Sequence, residues 1–139
     1  MKTEISFAAP SQIETECLVA VVLDCSANGK PNPALETSDQ AVTAAAADLL
    51  ASGEVTGKIF EATMVHRPQG LKARRLLLVG GGKAANFSGY ELRRLTGTAA
   101  RFLKPRSIRS FAFLSPERLG SGGPADAVKA VVEGAFVGN

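Results

Sequence analysis

The 139-residue chain contains no tryptophan, one tyrosine, one histidine and two cysteines. Two cysteines, Cys17 and Cys25, are too few for the disulfide framework of a small secreted protein. The histidine, His66, has no HxxE, HxH or CxxC spacing around it, so a His- or Cys-based metal site is not indicated. The scarcity of tyrosine and tryptophan also leaves little of the aromatic interleaving on which single-stranded nucleic acids stack. Both cysteines are therefore expected to be small buried hydrophobes.

Long apolar segments are missing as well. No run approaches the roughly 18 to 20 apolar residues that cross a bilayer. Residues 1–16 carry acids where a signal peptide would need an uninterrupted apolar stretch. We therefore expect a cytoplasmic protein with no membrane partner. Hydrophobic residues make up 45% of the chain, which at this length predicts a single domain over residues 1–139 with a core of its own.

Acidic residues are almost absent from the middle of the chain. Residues 67–109 contain eleven Lys or Arg and one acid, Glu91, whereas residues 1–66 contain three basic and nine acidic residues. Arg94 and Arg101 are seven residues apart, which places them on one face of a predicted helix. Such a block can meet nucleic acid, an acidic protein surface or only solvent. The predicted basic interaction face consists of Arg74, Arg75, Arg94, Arg101 and Lys104.

Apolar strands alternate with amphipathic helices along the chain. The runs at 18–23 and 74–79 are typical of strands buried on both faces of a sheet. A capping box beginning at Ser88 predicts the start of one helix, and Thr37 and Gly53 bracket another. The alternation predicts an α/β layered domain around a parallel or mixed sheet. Further strands are predicted at 4–8, 58–66 and 107–114, and a last helix begins at Pro124.

Three glycines and a lysine follow the strand predicted at 74–79. The spacing fits neither the Walker P-loop, which requires Ser or Thr after the lysine, nor the GxGxxG dinucleotide fingerprint. The favoured interpretation is a tight exit from the strand, with glycine supplying unusual backbone angles. The alternative is a phosphate or ribose ligand at the strand ends, where open α/β sheets bind ligands. That ligand would contact Gly80, Gly81 and Gly82.

The sequence contains no recognisable catalytic motif. Asp24 ends a predicted strand, where α/β proteins place site residues, but it is as readily a turn residue. The serines at 115 and 121 lack the GxSxG nucleophile elbow. No pair of carboxylates stands out for acid–base work. The sequence therefore indicates no catalytic residue and no metal ligand in this chain.

Several of these segments, taken in order, resemble one family. They are LVAVVLD at 18–24, LKARRLLLVGGGK at 71–83, FSGYELRRLTGTAARFLK at 87–104 and AVKAVVEGAFVGN at 127–139. Together they are similar to the N-terminal domain of the leucyl (cytosol) aminopeptidases, which are two-metal exopeptidases. The segment at 71–83 is the most specific part of the match.

The resemblance implies a macro-domain-like, three-layer α/β/α fold with a mixed, largely parallel sheet. It also implies a separate C-terminal catalytic domain, which in the family carries two divalent ions, zinc or manganese, and an NTDAEGR motif. No such motif occurs in these residues, so no catalytic residue is carried over and the chain alone is expected to be inactive.

The role implied by the resemblance is non-catalytic. The domain would pack on its catalytic domain, help to build a homo-oligomer and shape access to the active site of a metallo-aminopeptidase. The alternative from a different class is a stand-alone macro-like module that binds nucleic acid or a nucleotide such as ADP-ribose. That alternative depends on the basic block and on analogy between folds.

Overall fold

The computed structural model describes residues 9–26, 30–108 and 110–114. The strand predicted at 4–8 and the helix predicted from Pro124 lie outside these residues. None of the helices in the described ranges is both long enough and apolar enough to span a membrane.

The sheet is mixed, as the sequence predicts. Its strands are β1 (Leu18–Asp24), β2 (Pro33–Leu35), β3 (Ala62–His66), β4 (Arg75–Lys83) and β5 (Ala112–Phe113). The hydrogen-bonded order is β2-β1-β4-β3, and β5 also pairs with β1. β1 is parallel to β4 and β5, whereas β2 is antiparallel to β1 and β3 is antiparallel to β4. β1 and β4 are therefore the central strands.

The first helix, α1, runs from Gln40 to Ser52. Its N-cap is Asp39, whose side chain accepts a hydrogen bond from the Val42 amide at 3.0 Å. The prediction that Thr37 is the cap was therefore wrong by two residues. The Thr37 hydroxyl instead accepts from the Asp39 amide at 3.3 Å, which holds the capping residue in place. Gly53 ends the helix in the left-handed conformation, φ 83°, as expected.

The second helix, α2, runs from Gly89 to Leu103. The predicted capping box is confirmed: Ser88 is the N-cap, and the Glu91 carboxylate accepts from the Ser88 amide at 3.1 Å. A single turn of 3-10 helix, Lys104–Arg106, follows the helix. Four of the five residues of the predicted apolar stripe are buried, namely Leu92, Leu95, Ala99 and Leu103, whereas the fifth, Phe102, is half-buried.

The two helices cover opposite faces of the sheet. Successive side chains of a strand point to opposite faces, so the central strands feed two separate cores. In β1, Val19 and Val21 pack in the core that contains Leu95 of α2. Ala20 of the same strand packs in the core that contains Val42 of α1. The result is the expected order of helix, sheet and helix, with strands β1 and β4 in the middle layer.

Three strand boundaries differ from the prediction. β3 begins at Ala62 instead of 58, because residues 58–61 form a turn in which the Glu61 amide donates to the Lys58 carbonyl at 3.0 Å. β5 is limited to Ala112–Phe113, because the chain leaves the 3-10 turn through Ser107 in a left-handed conformation, φ 60°. β4 is longer than predicted and includes the three glycines.

Candidate interaction surface

The carboxyl ends of β1 and β4 are joined by a small polar cluster. Asp24, the last residue of β1, accepts hydrogen bonds from the amides of Ser26 at 2.9 Å and Asn32 at 3.1 Å. Its other oxygen lies 3.2 Å from Nζ of Lys83, the last residue of β4. The same ammonium group donates to the Ser26 hydroxyl at 2.7 Å. The cluster therefore closes the turn after β1 and attaches it to β4.

The contacts within this cluster favour the charged form of the Asp24 carboxyl group. Hydrogen bonds from the amides of Asn32 and Ser26, and then from the side chains of Ser26 and Lys83, hold the pKa of Asp24 well below its usual value of 3.8. A serine–lysine catalytic pair needs a neutral lysine that accepts the serine proton. Lys83 instead faces a carboxylate, and half of its side chain is exposed to water. We therefore interpret the cluster as a structural clamp.

The three glycines lie inside β4, not in a turn after it. The Gly80 amide donates to the Glu61 carbonyl at 2.7 Å, and the Gly82 amide donates to the Gly57 carbonyl at 2.8 Å. The Gly80 carbonyl accepts from the Phe60 amide at 2.8 Å. Because the backbone that precedes β3 continues this pairing, β4 can extend past Val79. The amides of Gly80 and Gly82 are consequently engaged with carbonyls and are not directed at a ligand.

The predicted basic interaction face divides between two places. Arg75 is the first residue of β4 and pairs with the exposed His66 at the end of β3, and Arg74 immediately precedes the strand. They line a shallow concavity of about 640 Å³ together with His66, Arg67 and Leu71.

Arg94 and Arg101 lie on the outward face of α2. They line a second concavity, of about 490 Å³, together with Phe60, Arg93, Gly97 and Thr98. Lys104 is exposed in the turn that follows the helix. Of the five predicted residues, Arg94, Arg101 and Lys104 thus belong to the α2 side, whereas Arg74 and Arg75 belong to the β3–β4 end.

Aromatic rings accompany the arginines of α2. The guanidinium carbon of Arg94 lies 4.9 Å from the ring centre of Phe60 and 5.7 Å from that of Tyr90. Arg93 lies 5.4 Å from the Tyr90 ring. Tyr90 is 56% exposed and Phe60 is 38% exposed. A cation within about 6 Å of the centre of an aromatic ring is attracted to the face of that ring, so each of these contacts is favourable. We call Phe60, Tyr90, Arg93, Arg94 and Arg101 the Arg–aromatic patch.

Phe60, Tyr90 and Arg93 were not identified as interaction residues from the sequence. Helical spacing could have found Tyr90, which precedes Arg93 and Arg94 by three and four residues. No sequence pattern could have found Phe60, because it lies in the turn before β3 and contacts α2 only as a result of the fold. That turn holds Phe60 in a left-handed conformation, φ 64°, which is unusual for a residue other than glycine.

The cysteines and acids of the described ranges do not form a metal centre. Among those residues, no group of three or more His, Cys, Asp or Glu side chains is placed to hold a metal ion. Cys17 is fully buried, and burial raises the pKa of its thiol to about 11 despite the nearby charge of Arg75. Cys25 is free and half-buried, so the prediction of two buried cysteines was wrong for Cys25. The donor set described here does not fit a two-metal site, and we derive no catalytic step through one.

Comparison with known proteins accounts for most of the chain. A family model described as "Cytosol aminopeptidase family, N-terminal domain" matches residues 18–139. A probable cytosol aminopeptidase of Koribacter versatilis is 41% identical over 153 residues, which cover 100% of this chain and 30% of the relative. A second, from Acidobacterium capsulatum, is 38% identical over 86% of this chain and 25% of the relative. The cytosol aminopeptidase of Haemophilus influenzae is 32% identical over 78% of this chain and 21% of its own length. The chain thus spans less than a third of the length of these relatives.

Proposed function

The chain belongs to the cytosol aminopeptidase family, as its N-terminal domain, and we propose that it is a non-catalytic part of a metal-dependent aminopeptidase. In this proposal it packs against its catalytic domain, contributes to a homo-oligomer and shapes access to the active site. The complete enzyme would release N-terminal amino acids from peptides with metal-activated water. Its location would be the cytoplasm, as the name of the relatives indicates for them.

The observation that carries this proposal is the family match over residues 18–139, together with the share of each relative that the chain spans. At most about a third of the Koribacter versatilis relative corresponds to this chain, so the larger part of that protein lies elsewhere. Two-metal hydrolysis needs several ligands around ions roughly 3.5 to 4 Å apart. We therefore assign the two zinc or manganese ions to a catalytic domain outside these residues.

A stand-alone module for nucleic acid or ADP-ribose is not favoured. It was suggested by the basic block and by analogy between folds, with the glycines of β4 as the weak candidates for ligand contact. The basic residues divide between two places, and the amides of Gly80 and Gly82 donate to the carbonyls of Glu61 and Gly57. The family match accounts for the chain without such a ligand.

A domain exchange tests the proposal. The matching segment of the Koribacter versatilis relative is replaced by residues 1–139 of this chain, and metal-dependent hydrolysis of a leucine anilide is compared with that of the parent protein. We expect the exchanged protein to remain active, to assemble as the parent does and to lose activity with a chelator. The isolated chain, supplied with manganese or zinc, should hydrolyse nothing.

Either of two results would overturn the proposal. One is chelator-sensitive hydrolysis by rigorously purified isolated chain. The other is an exchanged protein that folds, but in which residues 1–139 separate from the rest of the relative once a protease cuts the link between them. Deletion of the exchanged segment is the control, because it shows what the relative does with no domain at this position.

A further inference from the structure

The turn between β3 and β4 surrounds a basic concavity at one end of the sheet. Residues 67–75 contain four Lys or Arg and no acid. The concavity of about 640 Å³ described above lies against this turn, and its volume falls within the roughly 300 to 1,000 Å³ of small-molecule sites. We call this site, which is lined by residues 66–68, 71 and 73–75, the hairpin concavity.

The backbone of the hairpin places positive side chains opposite one another. His66 of β3 pairs with Arg75 of β4 in the strand register. The pairing continues beyond the strands, because the Arg67 amide donates to the Arg74 carbonyl at 2.9 Å. Two successive cross-strand pairs therefore consist of Arg or His side chains alone. Like charges at directly opposed positions destabilise an antiparallel pair, so the two opposed arginines cost the folded chain stability.

No carboxylate within the described ranges neutralises these arginines. Over those ranges, the three guanidinium groups of the hairpin concavity make no hydrogen bond or ion pair. A segment with two acids runs beside the turn, because the Arg74 amide donates to the Thr15 carbonyl at 3.1 Å. Of these acids, Glu14 is exposed to solvent and Glu16 accepts from the Ser110 amide at 3.4 Å. The positive charge of the concavity is thus left for a ligand to balance.

The walls of the hairpin concavity are fixed by the fold. Pro68 and Ala73 are buried, and Leu71 packs against the core on the α1 side of the sheet. Arg67 is held in a left-handed conformation, φ 52°, which is uncommon for a residue other than glycine and tends to occur at functional sites. The side chains of Arg67 and Arg74 are exposed, so they can close on a ligand without displacing the walls.

We infer that the hairpin concavity binds a small molecule that carries a diphosphate group. Guanidinium groups donate paired, charge-assisted hydrogen bonds to phosphate oxygens, and Arg67 and Arg74 approach the site from opposite sides of the hairpin. A bound diphosphate would replace the repulsion between these arginines with attraction to a common ligand. The volume leaves room for an organic group on the diphosphate, which Pro68 and Leu71 would contact.

This site differs from the ligand site considered at the glycines of β4. Gly80, Gly81 and Gly82 lie toward the carboxyl end of that strand, whereas the hairpin concavity lies at its amino end. The inference also goes beyond the proposed function, because a role in packing, assembly and access requires no ligand of the domain itself.

Calorimetric titration of the chain with inorganic pyrophosphate at low salt tests the inference. We expect saturable binding, and weaker binding of inorganic phosphate, which reaches fewer guanidinium groups. The double variant Arg67→Gln, Arg74→Gln should bind pyrophosphate at least about tenfold more weakly, because it loses charge-assisted hydrogen bonds. Amide chemical shifts measured by NMR should change at residues 66–75 when pyrophosphate binds.

A matched control separates the site from the overall charge. The double variant Arg94→Gln, Arg101→Gln removes the same charge from the α2 side of the domain, so it should bind pyrophosphate as the wild type does. Arg74→Gln alone replaces the first double variant if that protein lacks the native circular dichroism spectrum.

Urea unfolding separates a binding role of the arginines from a structural one. Without ligand, Arg67→Gln, Arg74→Gln should be at least as stable as the wild type, because it removes the repulsion across the hairpin. With pyrophosphate, the wild type and the α2 control should gain stability and the hairpin variant should not, since only a ligand that binds the folded state stabilises it.

Three results would overturn the inference: no saturable binding of pyrophosphate by the wild type, equal affinity of the wild type and the hairpin variant, or chemical shift changes that lie on α2 instead of at residues 66–75. A single-stranded oligonucleotide is titrated in parallel. If it binds through Arg67 and Arg74 and pyrophosphate does not displace it, the surface belongs to nucleic acid and the inference also fails. The domain exchange described above measures hydrolysis and assembly, so failure here would leave the proposed function standing.

Discussion

A Cβ atom at Gly80 would lie 1.9 Å from the carbonyl oxygen of Lys58. The turn before β3 thus presses its backbone onto β4 at a point where only glycine fits. A side chain at Gly80 would push the backbone of Lys58 away from β4, because the atoms of Lys58 at this contact belong to its backbone and not to its flexible side chain. This close approach, and not a ligand, explains why the strand carries glycine at this position.

Gly80→Ala is therefore expected to destabilise the domain by about 3 kcal/mol or more, above the usual range for overpacking. Urea unfolding followed by circular dichroism measures the change. Gly89→Ala is the matched control, since nothing lies within 4 Å of its Cβ position and its backbone is helical. It should change stability by no more than about 1 kcal/mol. Equal effects of the two substitutions would contradict the packing argument.

Most of the architecture could be predicted from local patterns. The continuous apolar run at 18–23 identified a strand buried on both faces, and β1 is central in the sheet. Ser88 and Glu91 identified the start of α2, because a capping box requires both residues at a fixed spacing. The three-layer fold was implied by resemblance to the family, whose N-terminal domain matches residues 18–139.

The errors arose where distant segments decide the local structure. The sequence predicted that the strand ends before Gly80. The backbone of residues 57–61 instead forms hydrogen bonds with Gly80 and Gly82, and this pairing extends β4. Thr37 was chosen as the cap of α1 for its capping-box spacing, but Asp39 is also a preferred capping residue and takes that position in the fold. The contact of Phe60 with Arg94 joins residues 34 positions apart, which no helical or strand period predicts.

The capping role of Asp39 leads to a second prediction. Its carboxylate accepts from the Val42 amide at the start of α1, so Asp39→Ala should lower the free energy of unfolding by about 1 kcal/mol. Asp39→Asn keeps an accepting oxygen and should restore most of the loss. Thr37→Ala, which only loses the bond to the Asp39 amide, should have the smaller effect. A larger loss from Thr37→Ala than from Asp39→Ala would show that the cap lies at Thr37 after all.

The two cysteines should differ sharply in reactivity. Only thiolate reacts with disulfide reagents, and burial raises the pKa of Cys17 from 9.0 to about 11. In native protein near pH 8 we expect Cys25 to react with an aromatic disulfide reagent and Cys17 to react only after denaturation. Cys25→Ser isolates the buried thiol for this measurement. Rapid modification of Cys17 in that variant under native conditions would contradict the structure.

The same shift predicts a loss of stability in alkali. Between pH 9 and 11 the unfolded chain releases the Cys17 proton while the folded chain retains it. The contribution of this thiol is therefore present below about pH 9 and is lost as the pH rises through 11. Cys17→Ala should lack this part of the pH dependence. The measurement is urea unfolding of both proteins at intervals across that range.

Asp24 should make the domain sensitive to acid. Its pKa in the folded state lies below the usual 3.8, mainly because the amides of Asn32 and Ser26 donate to the carboxylate. A lowered folded pKa contributes stability that is present above the unfolded value and lost as the pH falls below it. The wild-type chain should therefore exceed Asp24→Asn in stability at neutral pH, and the difference should shrink below about pH 4.

Lys83→Met distinguishes the two sources of this effect. Lys83 is the weakest of the groups that lower the Asp24 pKa, and the backbone amides are the strongest. If the amides dominate, Lys83→Met should keep most of the acid-dependent loss of stability, although it removes the ion pair between β1 and β4. Urea unfolding of the three proteins between pH 3 and 7 decides the question. A Lys83→Met variant whose stability follows Asp24→Asn at every pH would mean that the ion pair, and not the turn after β1, holds the carboxylate charged.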